Sequence, residues 1–360
     1  MITISLCMIV KNEEEVLARC LHSVEEAMDE IIIVDTGSSD RTKEIARTFT
    51  DKVIDFTWID DFSAARNTAY GQATMDYQMW LDADDVMPAK ELEKLLKLKQ
   101  TLDPAVEMVT MRYNTHFDEN GIPVLTSRRE RLTRRDKGYR WQDPVHECIP
   151  LSGHVIDTDI TIDHRKIKKE ETSDRNLRIY QALAESGRPM TPRQTYYYAR
   201  ELKDHAMFCE AAKKFEEFLD GGLGWVEDNI AACFELARCL NAMKQPKQAF
   251  EALRRSFEFG EPRAEILSEI GYYYKRMGRF ADAAGWFRAA ASLDEPRQIG
   301  FLLRDYWGFI PNIELCVCCY NLGDMKKARE YNERAAVYKP DSPAVIANQE
   351  FFAKLEAEGA

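Results

Sequence analysis

The chain has 360 residues, which suggests about two domains, and a formal net charge of −12. Such an acidic protein is a poor candidate for nucleic-acid binding, because that affinity depends largely on the neutralisation of phosphates. The apolar fraction of 45% and the charged fraction of 31% are ordinary for globular proteins and exclude a mainly disordered or fibrous chain. No apolar run long enough to span a membrane is present, and the first residues resemble a β-strand rather than a signal peptide.

Short β-rich segments alternate with helical segments over the first hundred residues. Strands are predicted at residues 2–10, 30–35, 52–56 and 77–81, and helices at residues 13–27, 42–49, 63–73 and 89–99. This alternation is typical of a mostly parallel sheet with helices on both faces. Two further strands at 108–116 and 124–133 flank a hairpin turn, and a last strand is predicted at 155–163. The first domain is therefore predicted to be α/β, ending in a small antiparallel part.

From about residue 174 onward the chain is predicted to be helical, with a repeat. The clearest copy contains Tyr274, Gly278, Phe280, Ala283, Phe287, Ala290 and Pro296; weaker copies contain Ala211, Phe215 and Phe218, then Ala249, Leu253, Ser256 and Pro262, then Gly323, Ala328 and Ala335. The pattern resembles the tetratricopeptide repeat over residues 194–340, with an insertion around 302–312. Such solenoids offer a concave surface to peptides. The alternatives are that the repeats brace the first domain or join two copies of the chain as a homodimer.

Three carboxylates follow the apolar strand at 77–81, namely Asp82, Asp84 and Asp85. Like charges this close repel one another, so a cation or a positive group is expected beside them, unless Asp82 and Asp84 are simply solvated. An Asp-x-Asp sequence beyond the carboxyl end of a strand suits Mg²⁺ or Mn²⁺ carrying a diphosphate. For Asp85 an alternative role is to cap the helix that begins near Pro88.

Two further polar motifs are predicted at the same edge of the sheet. Asp35 follows the second strand, where it could accept from a base N–H or a ribose hydroxyl, or simply stabilise the turn. Arg66 lies in the third helix, where it could reach phosphates or a carboxylate of the aspartate cluster. The alternative for Arg66 is a solvent-exposed side chain.

Together these motifs resemble the family 2 glycosyltransferases, which have the GT-A fold. The segments that carry the resemblance are residues 7–13, 34–38, 65–67 and 82–84, although Thr36 stands where the family usually has a second aspartate. The resemblance implies a divalent metal, Mn²⁺ or Mg²⁺, and inverting transfer of a hexose from a nucleotide sugar, often UDP-linked. The implied contacts with the donor are Ile9, Val10, Asn12, Glu13, Asp35, Arg66, Leu81, Asp82 and Ala83.

Residues 139–147, 162–164 and 175–177 resemble a subgroup with a tetratricopeptide-like C-terminal domain, which includes the sublancin-type S-glycosyltransferases of glycosylated bacteriocins. That resemblance implies that His164 is a metal or diphosphate ligand, which as a metal ligand would join Asp82 and Asp84.

An inverting transferase needs a base to deprotonate the acceptor. Glu147 is the preferred candidate, and His146 and Asp143 are the alternatives. Arg128, Arg129 and Arg131 share one predicted strand, where they would line the acceptor or phosphate side or form a solvated basic strand.

The sequence thus predicts an α/β GT-A domain at residues 1–170, a helical linker at 171–193 and an all-α tetratricopeptide-like solenoid at 194–360. The expected function is metal-dependent transfer of a hexose from a UDP-sugar to a peptide or protein held by the repeats. The alternatives are a glycosyltransferase for a cell-surface glycan and a catalytically inactive scaffold that binds sugar nucleotides. The nine scattered cysteines are predicted to be buried or free thiols, which indicates a reducing, cytoplasmic location.

Overall fold

The computed structural model describes residues 1–167, 174–295 and 300–359. The chain divides into two compact units, Met1–Pro189 and Met190–Ala360. The predicted order, an α/β domain followed by helical repeats, is confirmed. The predicted boundary at residues 170 and 171 lies outside the described residues, as do Pro296 and Ala360. Within the described ranges, no helix is long and apolar enough to cross a membrane.

The first unit is built on one mixed sheet with helices on both faces. Its elements are β1 Ile4–Val10, α1 Leu17–His22, β2 Glu30–Asp35, α2 Thr42–Arg47, β3 Val53–Asp55, α3 Phe62–Gly71, β4 Tyr77–Trp80, β5 Asp85–Val86, α4 Ala89–Thr101, β6 Met108–Phe117, β7 Pro123–Arg134, β8 Val155–His164 and α5 Arg175–Glu185. The strands are ordered β3-β2-β1-β4-β7-β6-β8-β5. Strands β3, β2, β1 and β4 are parallel, so their carboxyl ends meet at one edge of the sheet.

Strand β1 contributes to two separate cores, one on each face of the sheet. Leu6 and Met8 pack with buried residues of α1 and α4, such as Leu95. Cys7, which points to the opposite face, packs with Ala69 of α3. Successive side chains of a strand alternate between faces, so a continuous apolar run requires cover on both sides. The strand ends that carry the predicted motifs are thereby fixed from both faces.

The first helix is shorter than the sequence predicted. In place of a helix over residues 13–27, α1 covers Leu17–His22 and a single 3-10 turn follows. The backbone N–H of Glu13 donates to the hydroxyl of Thr42 at 2.7 Å. Glu13, where the predicted helix begins, is therefore hydrogen-bonded to α2, and α1 begins only at Leu17.

The last strand of the sheet also differs from the prediction. Strand β8 runs parallel to β6, so it does not extend the antiparallel hairpin formed by β6 and β7. Its other edge pairs with β5, a two-residue strand that the sequence analysis missed, and this pairing sets Asp85 opposite His164. Two residues are too few to show the alternation that marks a strand.

The second unit consists mainly of paired antiparallel helices. Its elements are α6 Pro192–Asp204, α7 Phe208–Gly221, α8 Val226–Ala242, α9 Pro246–Arg255, α10 Ala264–Arg276, α11 Phe280–Ala291, β9 Leu302–Leu303, α12 Phe309–Asn321, α13 Met325–Tyr338 and α14 Pro343–Gly359. The predicted small residues of the four copies, Ala211, Ala249, Ala283 and Ala328, are at most 2% exposed. They lie where two helices approach closely, which confirms the repeat.

All nine cysteines are free, and the five in the repeat helices α8 and α12 are buried. Burial raises the pKa of Cys233 to about 12. These cysteines therefore act as small apolar core residues, as the sequence predicted.

The predicted insertion packs on the first helices of three repeats. The ring of Phe301 lies 4.4 Å from the guanidinium of Arg200 on α6. Tyr306 packs edge-on against Phe234 of α8 at 5.9 Å, and its hydroxyl donates to Glu269 of α10 at 2.9 Å. Helices α6, α8 and α10 therefore share one surface, here called the first-helix surface, and the insertion covers part of it.

The turns inside the four helix pairs each contain a residue with positive φ. These residues are Ala206 at 57°, Lys244 at 60°, Gly278 at 72° and Gly323 at 81°. A side chain in this left-handed region costs about 1–2 kcal/mol, which glycine avoids. Only two of the four turns carry the glycine, so the other two hold a strained residue on an exposed surface.

We expect Lys244→Gly to raise the free energy of unfolding by about 0.5–1 kcal/mol, because the relieved strain exceeds the added chain entropy of the unfolded state. Gly278→Ala should lower that free energy by a similar amount. Urea unfolding followed by far-ultraviolet circular dichroism measures both changes. A less stable Lys244→Gly variant would contradict the strain argument.

Candidate active site

The loops that follow β1 and β2 are bonded to each other at the carboxyl edge of the sheet. The backbone N–H of Asn12 donates to the hydroxyl of Ser38 at 2.9 Å, and the side-chain oxygen of Asn12 accepts from the N–H of Ser39 at 2.8 Å. Asn12 adopts a φ of 55°, a conformation that asparagine tolerates better than most residues. Asn12, predicted to contact a donor, therefore also fixes the shape of this edge.

Asp35 uses its two carboxylate oxygens differently. One oxygen, Oδ1, accepts from the backbone N–H groups of Gly37 at 3.0 Å and Ser38 at 2.9 Å, which stabilises the turn. The other, Oδ2, is buried without a hydrogen-bond partner among the described residues. A buried carboxylate oxygen without a donor is costly, so a ligand that donates to it would be stabilised. The turn role therefore accounts for only one of the two oxygens.

The other predicted donor contacts fall into two groups. The side chains of Val10, Leu81 and Ala83 are buried in the core, so any contact of these three residues with a donor must use their backbone atoms. The side chain of Ile9 is only partly buried, against the core on the opposite face of the sheet. Asn12, Glu13 and Asp84 line one cavity of about 340 Å³, together with Asp40 and Lys166. The structure thus brings together residues from the first and the fourth predicted motif.

The aspartate cluster forms a compact set of possible metal ligands with His164. Asp82, Asp85 and His164 offer ligand atoms that all lie within 4.8 Å of one another. Asp84 lies beside them, with its Oδ1 3.2 Å from Nδ1 of His164. Carboxylate oxygens with one imidazole nitrogen form a donor set that suits Mn²⁺, so the residues present fit the implied metal.

The proposed capping role of Asp85 is wrong. Helix α4 begins after Pro88 without any side-chain cap. Asp85 is instead fully buried and accepts from the guanidinium of Arg131 at 3.1 Å.

Opposite charges compensate one another across this cluster. Burial alone would raise the pKa of Asp82, but the charges of Arg66 and Arg131 outweigh it and hold that pKa below its usual range. Burial lowers the pKa of His164, while hydrogen bonds to Asp84 and Asp85 outweigh it and raise this pKa to about 10. The histidine is thus a positive partner for the carboxylates without a cation, and a divalent cation would replace that charge.

Arg66 connects two of the predicted functional groups. Helix α3 is capped by Asp61, and Arg66 points inward between the rings of Trp80 and Trp141 at 4.9 and 4.7 Å. Its Nη2 donates to Asp82 at 2.7 Å and its Nε to Glu147 at 2.6 Å. The predicted alternative, a solvent-exposed side chain for Arg66, is therefore wrong. The predicted contact of Arg66 with the aspartate cluster is present. These carboxylates outweigh the effect of burial and raise the pKa of Arg66, so the guanidinium stays charged.

The loop at residues 141–149, which carries the candidate bases, is attached to helices α3 and α5. Asn67 makes two hydrogen bonds of 3.0 Å to the backbone of Trp141. The hydroxyl of Tyr180 on α5 donates to the carbonyl of Val145 at 3.2 Å. The motif at residues 65–67 thus has two structural tasks: Asn67 holds the loop and Arg66 reaches the carboxylates.

The three candidate bases occupy different positions in this loop. Glu147 is joined to Asp82 through Arg66, and its side chain is 11% exposed. The ring of His146 stacks on Tyr180 with centroids 6.2 Å apart. His146 and Asp143 have φ values of 53° and 72°, and such backbone strain is often found at functional sites. Glu147 is thus linked to the aspartate cluster through Arg66, and its role as the base stays a prediction.

The arginines of β7 do not form a solvated basic strand. Arg131 is fully buried between the rings of Trp80 at 3.7 Å and Tyr113 at 4.3 Å. Arg129 also lies over Trp80, and Arg128 donates to the carbonyl of Thr158 at 2.8 Å. Tyr113 was missed by the sequence analysis, because nothing in the alternation of β6 marks a tyrosine that reaches the aspartate cluster.

Comparisons with known proteins agree with this arrangement. A family model described as glycosyl transferase family 2 matches residues 5–153. A TPR repeat-containing protein of Synechococcus elongatus is 32% identical over 302 residues, which is 82% of this chain and 67% of that protein. The SPbeta prophage-derived glycosyltransferase SunS of Bacillus subtilis is 26% identical over 212 residues, 56% of this chain and 49% of SunS.

A third relative is the lipopolysaccharide core biosynthesis glycosyltransferase LpsC of Rhizobium meliloti. It is 29% identical over 159 residues, which is 42% of this chain and 58% of LpsC. The chain thus spans between about half and two thirds of the length of these three relatives.

Proposed function

The chain belongs to glycosyl transferase family 2 and carries tetratricopeptide-like repeats after its catalytic domain, and we propose that it transfers a hexose from a UDP-sugar to a peptide or protein, with inversion. The observation that carries this proposal is the position of Arg66. Its guanidinium joins Asp82, at the end of β4, to Glu147, the candidate base. Arg66 thus contacts both Asp82, which would act on the donor, and Glu147, which would act on the acceptor.

The donor side of the site would use Asp35, Asp82, Asp84, His164 and Arg66. The free Oδ2 of Asp35 is placed to accept from the base or ribose of a nucleotide. Asp82 and Asp84, with His164, would hold Mn²⁺ or Mg²⁺, which supplies positive charge to the departing diphosphate. Arg66 adds a fixed positive charge that Asp82 and Glu147 already orient.

On the acceptor side, Glu147 would take the proton. As the acceptor atom bonds to the anomeric carbon, the bond from that carbon to the diphosphate breaks on the opposite face, and the acceptor proton passes to the carboxylate. Oε1 of Glu147 is bonded to Arg66, so Oε2 is the atom left to receive this proton. The peptide acceptor and a cytoplasmic location belong to this proposal, the latter because all nine thiols are free.

The donor can be tested without knowledge of the acceptor. The full-length protein is incubated with a panel of sugar nucleotides and Mn²⁺, and release of the nucleoside diphosphate by slow hydrolysis is measured. We expect release from a UDP-hexose that stops when the metal is chelated. Tight UDP binding without release from any donor, with or without acceptors, would instead favour the inactive scaffold.

The second candidate function is transfer to a cell-surface glycan, which the similarity to LpsC favours. Peptide and oligosaccharide acceptors compared with the same donor distinguish the two. The presence of repeats in the same chain supports the peptide, because an extended solenoid surface offsets the ordering entropy of a flexible acceptor.

We expect Arg238→Ala to raise the KM for a peptide acceptor about two- to fivefold, the worth of one exposed charged contact, while donor hydrolysis stays unchanged. Arg238 is 55% exposed on α8, beside Phe234 of the first-helix surface. The matched control is Arg254→Ala on α9, a similarly exposed arginine (61%) that also pairs with a glutamate three residues before it. If neither variant changes the KM for the peptide relative to the wild-type protein, the result would favour repeats that brace the catalytic domain or join two copies of the chain.

A further inference from the structure

The two ring nitrogens of His164 have different roles. Nδ1 lies 2.9 Å from the hydroxyl of Tyr113 and 3.2 Å from the carboxylates of both Asp84 and Asp85. An ionised carboxylate only accepts hydrogen bonds, so Nδ1 must carry a hydrogen and donate it. In the neutral ring the lone pair then belongs to Nε2. The protein therefore directs Nε2, rather than Nδ1, toward any metal that His164 binds.

The carboxylate oxygens of Asp85 are largely occupied by hydrogen bonds within the protein. Its Oδ1 accepts from the hydroxyl of Tyr113 at 2.8 Å and from Nδ1 of His164 at 3.2 Å. Its Oδ2 accepts from the backbone N–H of Asp82 at 3.0 Å and from Nη1 of Arg131 at 3.1 Å. A carboxylate has about four lone-pair positions. Three are used here by separate donors, and the fourth faces the single Nδ1 hydrogen that also lies near Tyr113 and Asp84, all in a fully buried residue. Metal binding to Asp85 would break at least one of these bonds.

Asp84 has the opposite properties. Its side chain is 17% exposed, pairs with His164 alone among the described residues, and lines the cavity that also includes Asn12 and Glu13. Of the two neighbouring carboxylates, Asp84 is therefore accessible to a cation from that cavity. Asp85 instead neutralises Arg131, which is itself fixed between Trp80 and Tyr113.

We propose that Asp85, Tyr113 and Arg131 are positioning residues that orient His164, so that it offers Nε2 to a divalent cation bound with Asp82. Asp84, which lies against Nδ1 here, would turn away from that nitrogen to join the cation, while Tyr113 and Asp85 keep the N–H in place. The inference rests on the proposed function, because it requires the metal site. Histidine ligands commonly donate their second N–H to a carboxylate, and removal of that partner costs about 10–100-fold in metal affinity. We expect losses in this range for Asp85→Asn and smaller ones, about tenfold or less, for Tyr113→Phe.

The test measures Mn²⁺ binding to the full-length protein with UDP, by the electron paramagnetic resonance signal of free Mn²⁺. Asp85→Asn and Tyr113→Phe are compared with Asp159→Asn, which changes an exposed carboxylate on the same strand as His164. Removal of one partner from a buried ion pair costs about 3–5 kcal/mol, so Asp85→Asn is first checked for folding. Tyr113→Phe keeps the Asp85–Arg131 pair intact and serves if Asp85→Asn does not fold.

A second measurement reads the ring of His164 directly. In protein labelled with ¹⁵N-histidine and loaded with Mg²⁺ and UDP, two-bond proton–nitrogen correlations show which nitrogen carries the hydrogen. We expect it on Nδ1. A hydrogen on Nε2, or unchanged Mn²⁺ affinity in both variants, overturns the positioning role. If the wild-type protein binds no Mn²⁺, the proposed metal dependence fails together with this inference, whereas a wild-type site that is insensitive to the variants refutes the positioning role alone.

Discussion

Glu147→Gln is expected to lower the rate of sugar transfer by about 10²–10⁴-fold, the usual contribution of a general base, and to leave UDP binding intact. Glutamine keeps the size of the side chain and can still accept from Nε of Arg66, but it cannot take the acceptor proton. The contact of Arg66 with Asp82 is separate from Glu147, so the donor side should keep its geometry. Turnover at saturating donor and acceptor, with calorimetric titration of UDP, measures the two effects independently.

The matched control is Glu251→Gln, which changes an exposed glutamate that pairs with an arginine on α9. This variant should retain full activity. Near-normal turnover of Glu147→Gln would move the base to His146 or Asp143, which lie in the same loop. A parallel loss of UDP binding would instead assign Glu147 to the orientation of Arg66.

The edge of the sheet that carries the site could be predicted because it depends on local sequence. Asp35 and Asp82 each follow an apolar strand, and the carboxyl ends of parallel strands meet at one edge whatever the details of the loops. The same reasoning could not show that Asp35 uses one carboxylate oxygen in the turn and leaves the other without a partner among the described residues. This difference depends on the exact path of the loop after β2.

The contacts across the site could not be predicted because they join distant parts of the chain. Arg66 and Glu147 are separated by 81 positions, and Tyr113 and His164 by 51. Sequence periodicity reports which face of a strand or helix is buried, but not which side chain it meets. Arg131 illustrates the limit, since an arginine in a strand suggests solvent, whereas this one is buried beside Asp85.

The repeats were recognisable because close packing of two helices demands small residues at fixed positions. Ala249 and Ala283 are 34 positions apart, and both are buried. The turns of two repeats lack the expected glycine, since Ala206 and Lys244 adopt its backbone conformation at a cost. The packing of the insertion on the first-helix surface also left no sequence signal.

Asp84→Ala is expected to weaken Mn²⁺-dependent binding of UDP by more than about 100-fold, because even an outer partner of a metal ligand contributes about 10–100-fold. The fold should remain intact, because the side chain of Asp84 is partly exposed and its ion pair is with His164. Asp85 differs on both points: it is fully buried and supports Arg131, Tyr113 and His164. Calorimetric titration of UDP with and without Mn²⁺ measures the effect, and thermal unfolding verifies the fold.

Asp159→Asn again serves as the control, since its exposed carboxylate pairs with Lys94 on the surface. If Asp84→Ala binds UDP and Mn²⁺ normally, Asp84 is not a ligand. Asp85 would then have to give up a bond to Tyr113, His164, Asp82 or Arg131 in order to reach the metal. That exchange would weaken the support of His164 just when the metal binds, so the two measurements together decide which carboxylate coordinates the cation.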